Sequence, residues 1–170
     1  LFRTEVDPAS IFIIKDKIAD ASVEILKPVY NGDSHKKVDI AILAEGYTKS
    51  EREKFEKDLK RFVDFFFEDE PYKSQKNNFN IYGVFKPSEE SGTDLPGADI
   101  FVNTVLNTTF WTLGSERYLM TEDNLSMRNL AAHVPYDAIY IQVNHPRYGG
   151  GGIYNQYCTY TTDNQFAKYL

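Results

Sequence analysis

The clearest pattern along the chain is a mostly apolar run at residues 38–44, which has the length of a strand buried on both faces. Residues 45–47 turn the chain, and apolar side chains then recur at helical spacing between Lys, Glu and Asp. A second apolar run, Phe79–Phe85, is the next strand. This order predicts a β-α-β unit with parallel strands and a right-handed connection.

The helix of this unit has a start signal, an end signal and one apolar face. Thr48 and Glu51 match a capping box, and Pro71 ends the helix. The apolar positions of its face are Phe55, Leu59, Phe62, Val63 and Phe66. We expect this face to pack on the sheet against Ile40 and Ile42.

The second half of the chain is less regular. Residues 86–119 are rich in Ser, Thr, Asp, Asn and Gly, and an irregular segment of that length is usually functional or partly ordered. A second helix is predicted to follow, capped by Thr121, with Met120 and Leu125 as a hydrophobic staple and its end near His133. Ala138–Val143 is a third strand of the buried type.

A glycine-dense loop at residues 144–152 comes next. Residues 153–161, rich in Tyr and Thr, then predict a more polar strand at the edge of the sheet. In residues 163–170, Asp163 is placed as an N-cap, and Phe166 and Leu170 lie four residues apart. We therefore expect this last segment to open a helix.

These elements indicate an α/β fold, with a mixed twisted sheet and backing helices. Residues 1–36 predict two short strands, a lead-in ribbon or the end of a preceding domain. Residues 37–170 form the main domain, which we expect to be incomplete at its C-terminus. A chain of 170 residues suits one domain with a real core and is too short for two.

Composition excludes several classes of protein. A net charge of -6 argues against a nucleic-acid binder, because such a protein needs cations to neutralise phosphates. No apolar stretch reaches the ~18 residues that a membrane span needs. Cys158 is the only cysteine, so a disulfide framework and a Cys-type zinc site are both excluded.

Residue types suited to catalysis are present, but no complete catalytic motif is formed. The glycines at 149–152 lack the Lys-Ser/Thr and helix start of a phosphate loop. His35, His133 and His145 show no metal-ligand spacing, and only His145, in the glycine loop, lies beside a candidate site. The acidic stretch at residues 88–94 is either a general acid–base pair or simply solvated. Cys158 shows no sign of activation.

Several segments in order resemble the IgA-peptidase family of bacterial zinc metallopeptidases. They are VDIAILAEGYT at 38–48, EPY at 70–72 leading to FNIY at 79–82, PSEESG at 87–92 and VNHPRYGG at 143–150. The resemblance runs from about residue 38 to residue 170. It implies a zincin- or metzincin-like layout, and an H-E-x-x-H zinc motif on the helix that residues 166–170 would open.

No zinc ligand or catalytic residue is therefore assigned within the 170 residues. We expect zinc in the complete enzyme, none bound by this chain alone, and no peptidase activity from it. By resemblance, the partner is a protein or peptide substrate and the location is secreted, periplasmic or on the cell surface. The alternatives are a non-catalytic peptide- or glycan-binding domain of the same fold, or a structural fragment without its own function.

The glycine loop and the predicted edge strand are expected to form the upper rim of the substrate cleft, because glycines allow close backbone approach and an edge strand can pair with an extended peptide. The candidate substrate-binding residues are Arg147, Gly149, Gly150 and Tyr157. Arg147 would meet a substrate carbonyl or carboxylate, or else form a surface salt bridge.

Overall fold

The computed structural model describes residues 5, 7–13 and 18–162, which contain a six-stranded mixed sheet and two α-helices. The strands are Glu24–Val29 (β1), Val38–Glu45 (β2), Phe79–Phe85 (β3), Ala138–Val143 (β4), Gly150–Ile153 (β5) and Tyr157–Thr161 (β6). The helices are Arg52–Phe66 (α1) and Asn124–Ala131 (α2). The strand order is β1-β3-β2-β4-β6-β5.

The four inner strands are parallel, and the two outer strands run against them. Ile40 of β2 lies opposite Ile81 of β3 on one side and Ala138 of β4 on the other. β4 pairs with β6 in parallel, while β1 and β5 are antiparallel to their neighbours. The predicted α/β class, the mixed sheet and the parallel β2-α1-β3 unit are confirmed.

Each face of the sheet has its own hydrophobic cluster, because successive residues of β2 point to opposite faces. Ile40 and Ile42 belong to the cluster that α1 covers. Ala41 and Leu43 belong to the cluster that α2 and the long connection from β3 to β4 cover. β2 is therefore buried on both faces, as its apolar run predicts.

The predicted face of α1 is buried to different degrees along the helix. Phe55 and Leu59 are fully buried in the cluster around Ile42. Phe62 and Phe66 pack against the same cluster but are only partly buried, so the burial expected along this face is incomplete at these two positions. Phe62 instead stacks on Tyr160 of β6, with ring centroids 4.5 Å apart.

The start of α2 differs from the prediction. Asp123 is its N-cap, and the Asp123 carboxylate accepts a hydrogen bond of 3.0 Å from the Ser126 N–H. Thr121 lies two residues earlier and accepts from the Asp123 N–H at 2.9 Å. Leu125 is 72% exposed, so the predicted staple with Met120 is wrong.

The predicted edge strand at residues 153–161 is also wrong. Ile153 ends β5, residues 154–156 turn the chain, and β6 pairs with β4 on one side and with β5 on the other. Asn155 has a φ of 59°, the left-handed conformation that such a hairpin turn requires. The edge of the sheet is therefore β5, which contains three of the glycines assigned to the loop.

The lead-in segment contributes β1 to the same sheet, where it pairs with β3. The division of the chain near residue 37 stays a prediction. The helix expected in residues 163–170 lies outside the described residues, as does part of the segment at residues 1–36. Among the residues described, no helix is long and apolar enough to cross a membrane.

Replacing Phe55 by Ala should remove about 3–5 kcal/mol from the free energy of unfolding, since it empties a fully buried aromatic site. Phe62→Ala should remove less, because that ring is partly exposed. Phe101→Ala is the control, since Phe101 is 64% exposed and should change stability by less than about 0.5 kcal/mol. Denaturant unfolding measures all three, and equal losses for Phe55 and Phe62 would contradict the packing described.

Candidate functional site

The carboxyl ends of the parallel strands meet at one edge of the sheet, which is where open α/β sheets place their sites. The residues brought together there are Glu45 at the end of β2, Gly46 after it, Asn144 after β4 and Thr162 after β6. All three of the polar side chains in this set are buried. Their contacts determine the shape of this edge.

Glu45 is fully buried and accepts four hydrogen bonds through its carboxylate. Leu106 donates its backbone N–H to Oε2 at 2.9 Å, and the Thr104 hydroxyl donates to Oε1 at 2.7 Å. Thr108 donates both its N–H and its hydroxyl to Oε1, each at 3.0 Å. Burial raises the pKa of Glu45 above its usual value, and these donors oppose that rise. The carboxylate thus fixes the segment 104–108 on the end of the central strand.

Gly46 allows the acidic segment 88–94 to approach β2. It has a φ of 69°, and a Cβ at this position would overlap the carbonyl oxygen of Gly92. The Gly46 carbonyl accepts the Gly92 N–H at 2.9 Å, and the Gly46 N–H donates to the Ser88 hydroxyl at 3.2 Å. Position 46 therefore requires glycine for both its conformation and its contacts.

Asn144 connects the ends of β2 and β4 to the start of α1. Its side-chain amide donates to the Gly46 carbonyl and to Glu51 Oε1, both at 2.9 Å, and lies 3.1 Å from the Ser91 hydroxyl. Glu51 also accepts from the Thr48 N–H at 2.9 Å, as the predicted capping box requires. Burial acts to raise the pKa of Glu51, but these donors lower it overall.

A second buried network leads to Thr162, the last described residue. The Tyr47 hydroxyl donates to Asp58 at 2.9 Å and lies 3.2 Å from the Thr162 hydroxyl. Arg61 bonds both Asp58 and the Thr162 carbonyl oxygen. Burial, and then the charge of Asp58, raise the pKa of Tyr47 well above its usual value. The chain leaving β6 is thus held by side chains of α1 and by Tyr47, which follows β2.

The glycines of β5 and the residue before it serve close packing within the chain. A Cβ on Gly149 would clash with the Phe110 ring, and one on Gly151 would lie 3.1 Å from Met120 Cγ. Gly152 tolerates a Cβ, whose nearest contact would be Cys158 Cβ at 3.4 Å. The close approach predicted for a ligand is therefore made at Gly149 and Gly151 by side chains of the long connection.

Arg147 is held over two aromatic rings. Its guanidinium lies 4.6 Å from the centre of the Trp111 ring and 5.3 Å from that of Phe110. It also forms an ion pair with Glu116. The alternative expected for Arg147, a surface salt bridge, is present, and it is reinforced by cation–π contacts.

Tyr157, expected on an edge, lies in an inner strand and is buried. Its hydroxyl donates to the Thr121 carbonyl and accepts the Thr121 N–H at 3.2 Å. Thr159, also in β6, donates its hydroxyl to the Leu119 carbonyl. Tyr157 and Thr159 are therefore buried hydrogen-bond partners of the long connection. Their polar composition suggests an exposed edge, but their hydroxyls are used inside the protein.

β5 presents one open backbone position along its outer side. Gly150 faces outward, because its N–H donates to Arg117 at 3.1 Å and its carbonyl accepts from Leu119 at 3.4 Å. Backbone groups in an antiparallel pair alternate between the partner and the outside. Gly152, two residues on, therefore also faces outward, beyond the point where the segment 117–119 covers the edge.

A groove of about 560 Å³ lies beside this open position. Gly151, Gly152 and Ile153 of β5 line it, together with Leu113 and Tyr118 of the long connection. This volume is within the range of about 300–1,000 Å³ found for ligand pockets. The edge and the groove together suit an extended peptide.

The other sequence candidates lie elsewhere or have structural partners. His35 is exposed, and His133 at the end of α2 faces the carbonyl oxygens of Asn129 and Leu130, each 3.1 Å from Nδ1. His145 accepts the Arg147 N–H at 3.0 Å.

The acidic residues and the thiol have contacts that fit structural roles. Glu89, Glu90 and Asp94 accept hydrogen bonds from Val102 and Asn103. Burial raises the pKa of the Cys158 thiol to about 12, which keeps it unreactive. Within residues 5, 7–13 and 18–162, no group of three or more His, Cys, Asp or Glu could hold a metal ion.

The fold and this edge define an α/β domain with a short open edge on β5, beside the start of β6. A family model described as IgA Peptidase M64 matches residues 24–170. The chain belongs to this family, which supports hydrolysis of peptide bonds as its function and a protein as its substrate. The comparison with curated proteins found no match.

Sequence reasoning missed Glu45 and the hairpin of β5 and β6. Glu45 follows an apolar run, where the pattern predicts only a turn, and nothing local shows that Thr104 and Thr108 will meet it. The hairpin had a signal in Asn155, a residue type that tolerates the left-handed conformation of tight turns. Leu113 gave no signal, because its backbone conformation depends on the surrounding loop.

The buried carboxyl of Glu45 should make stability depend on pH above its ordinary pKa of 4.5. A raised native pKa means that, above pH 4.5, the folded state binds more protons than the unfolded state. The free energy of unfolding should then fall as pH rises through that window. Glu45→Gln should remove this contribution to the pH dependence of the free energy of unfolding, even if the substitution also changes stability by a constant amount. Denaturant unfolding from pH 5 to 8 measures it, and parallel curves for both proteins would contradict the raised pKa.

Proposed function

We propose that this chain supplies the sheet and substrate cleft of a zinc-dependent endopeptidase. Its substrate is an extended peptide that pairs with the outer edge of β5. The observation that carries the proposal is the outward-facing backbone of Gly152 beside an open groove, in a member of a peptidase family. Strand addition supplies main-chain hydrogen bonds for any sequence, which suits an enzyme that cleaves polypeptides.

The geometry limits how much peptide the edge can hold. The open part of β5, from Gly151 to Ile153, is three residues, or roughly 10 Å at the usual rise of a strand. The segment 117–119 closes the edge at Gly150. A substrate would therefore pair over about three residues, and Tyr118 and Leu113 would bound its path.

The four candidate substrate-binding residues take different roles in this proposal. Gly150 ends the open edge, and Gly149 holds β5 against Phe110. Arg147 offers its charge to a substrate carbonyl or carboxylate from its place over Trp111. Tyr157 acts indirectly, through its bonds to Thr121 on the wall of the groove.

Zinc and a zincin- or metzincin-like layout complete the proposal. The residues described offer no metal cluster, so the ligands would come from outside them. When bound, zinc supplies Lewis-acid activation of the carbonyl and of water. A secreted, periplasmic or cell-surface location also stays a proposal. Family membership favours this reading over a peptide- or glycan-binding module without activity.

Gly152→Pro should weaken binding of an extended peptide, because proline removes the outward N–H without removing a bond to β6. Gly152→Ala is the matched control, since it adds a side chain at an ordinary contact distance and keeps the N–H. We expect Pro to raise KM for long peptides about two- to tenfold in an active protein containing this chain, the loss of one backbone hydrogen bond. Equal KM values for both variants would remove β5 from substrate binding.

Elemental analysis tests the metal separately. The 170-residue chain should hold no stoichiometric zinc and show no peptidase activity, whereas an active protein containing it should lose activity with a chelator and regain it with zinc. Activity that survives complete removal of metal would contradict zinc dependence. One tightly held zinc per 170-residue chain would contradict the placement of the ligands.

A further inference from the structure

We propose that the groove beside β5 selects substrates by an apolar side chain, aromatic or branched aliphatic, at one position of the paired peptide. This inference rests on the proposed pairing of a peptide with β5 and names the substrate class that the pairing favours. The residues that form the apolar surface of the groove are Leu113, Tyr118, Met120, Ile153 and Tyr154.

The groove exposes large apolar side chains to solvent. Leu113 is 83% exposed, Tyr154 is 91% exposed and Ile153 is 40% exposed. They surround a backbone edge that still has an outward-facing position at Gly152. Exposed apolar side chains gathered around such an edge indicate a surface that a ligand covers. Because the edge offers both N–H and C=O, the ligand that fits is a polypeptide.

Leu113 is held in a conformation that disfavours its residue type. Its φ of 55° and ψ of 26° are left-handed, as are those of Trp111 two residues earlier. A leucine is disfavoured in this region and persists only where its surroundings fix it. The turn is fixed by bonds from Gly114 to Trp111 and from Thr112 to Tyr118. The result is a leucine that projects toward the groove instead of packing in the core.

Charge around the groove favours uncharged or basic substrate residues. Glu122 is the one charged side chain lining it within the described residues, and it is exposed. No Lys or Arg among those residues lines the groove to receive a carboxylate. An acidic side chain at the selected position would face Glu122 and lose apolar contact, so we expect it to be rejected.

Gly151 and Met120 both line the groove, and Gly151 has no side chain to fill it. Met120 lies where a Cβ of Gly151 would be 3.1 Å from its Cγ, and Met120 is only 7% exposed. A flexible thioether adapts to side chains of different shape. The preference is therefore for apolar character and size, and branched aliphatic and aromatic residues should both be accepted.

Peptide binding to the 170-residue chain tests this without any catalytic step. The probes are blocked peptides, Ser-Thr-Thr-X-Thr-Thr-Ser, with X as Phe, Leu, Ser or Asp, titrated while the backbone amide signals of Gly151, Gly152 and Ile153 are followed by NMR. We expect the Phe and Leu peptides to bind at least about tenfold more tightly than the Ser peptide, the effect of burying one apolar side chain. The Asp peptide should bind weakest.

Leu113→Asp should abolish this preference with the fold intact, because Leu113 is exposed and Asp tolerates a positive φ better than Leu. Tyr154→Ser should reduce it. Leu125→Asp is the matched control, since Leu125 is 72% exposed on α2 and lies outside the groove. This variant should show the same preference among the four peptides as the unaltered chain. Amide spectra of each variant report folding.

The outcomes separate this inference from the proposed function. Shifts at Gly152 with equal affinity for all four peptides would overturn the apolar preference and leave the pairing with β5 intact. A Leu113→Asp variant that keeps the full preference for apolar peptides would likewise overturn the role of the groove and leave the pairing with β5 intact. Binding of no peptide would overturn the pairing itself, and the preference with it.

Discussion

The hydrogen bonds to the buried carboxylate of Glu45 are the contacts on which the candidate site depends. Glu45 ends the central strand, where it is fully buried and is bonded by the neutral donors of three residues. A buried carboxylate without donors would be strongly unfavourable, so the donors of residues 104–108 must stay in place whenever the protein is folded. A long polar connection thereby gains a fixed position that apolar packing alone would not give it.

The segment 104–108, held by Glu45, also positions the residues of the long connection that contact the edge of the sheet. Residues that follow 108 place Phe110 where a Cβ on Gly149 would clash with its ring, and Met120 Cγ 3.1 Å from the position of a Cβ on Gly151. The segment 117–119 then bonds Gly150 and covers one end of β5. The glycines therefore allow the connection and β5 to form a joint surface, and the open part of the edge is what this packing leaves uncovered.

The sequence predicts the parts of this fold in which local pattern and tertiary burial agree. The apolar run of β2 and the helical face containing Phe55 and Leu59 are examples, since each is buried by the partner its period implies. The composition of β6 wrongly predicts an edge, because Tyr157 and Thr159 are polar, yet their hydroxyls bond backbone carbonyls of the connection. Such contacts join residues about 40 positions apart, and no local pattern records them. The donors of Glu45 lie still further away in sequence, so no local pattern predicts that they will meet it.

A glycine-rich strand at the edge of a sheet is exposed to pairing with other chains, a hazard that natural proteins limit. Here β5 has only four residues, and the segment 117–119 occupies one end, which leaves too little edge for stable association between sheets. The same restriction suits a peptidase, because a short paired stretch binds a substrate weakly enough to release its products. Affinity must then come from side-chain contacts beside the edge. The exposed apolar side chains of Leu113 and Tyr154 are positioned to supply them.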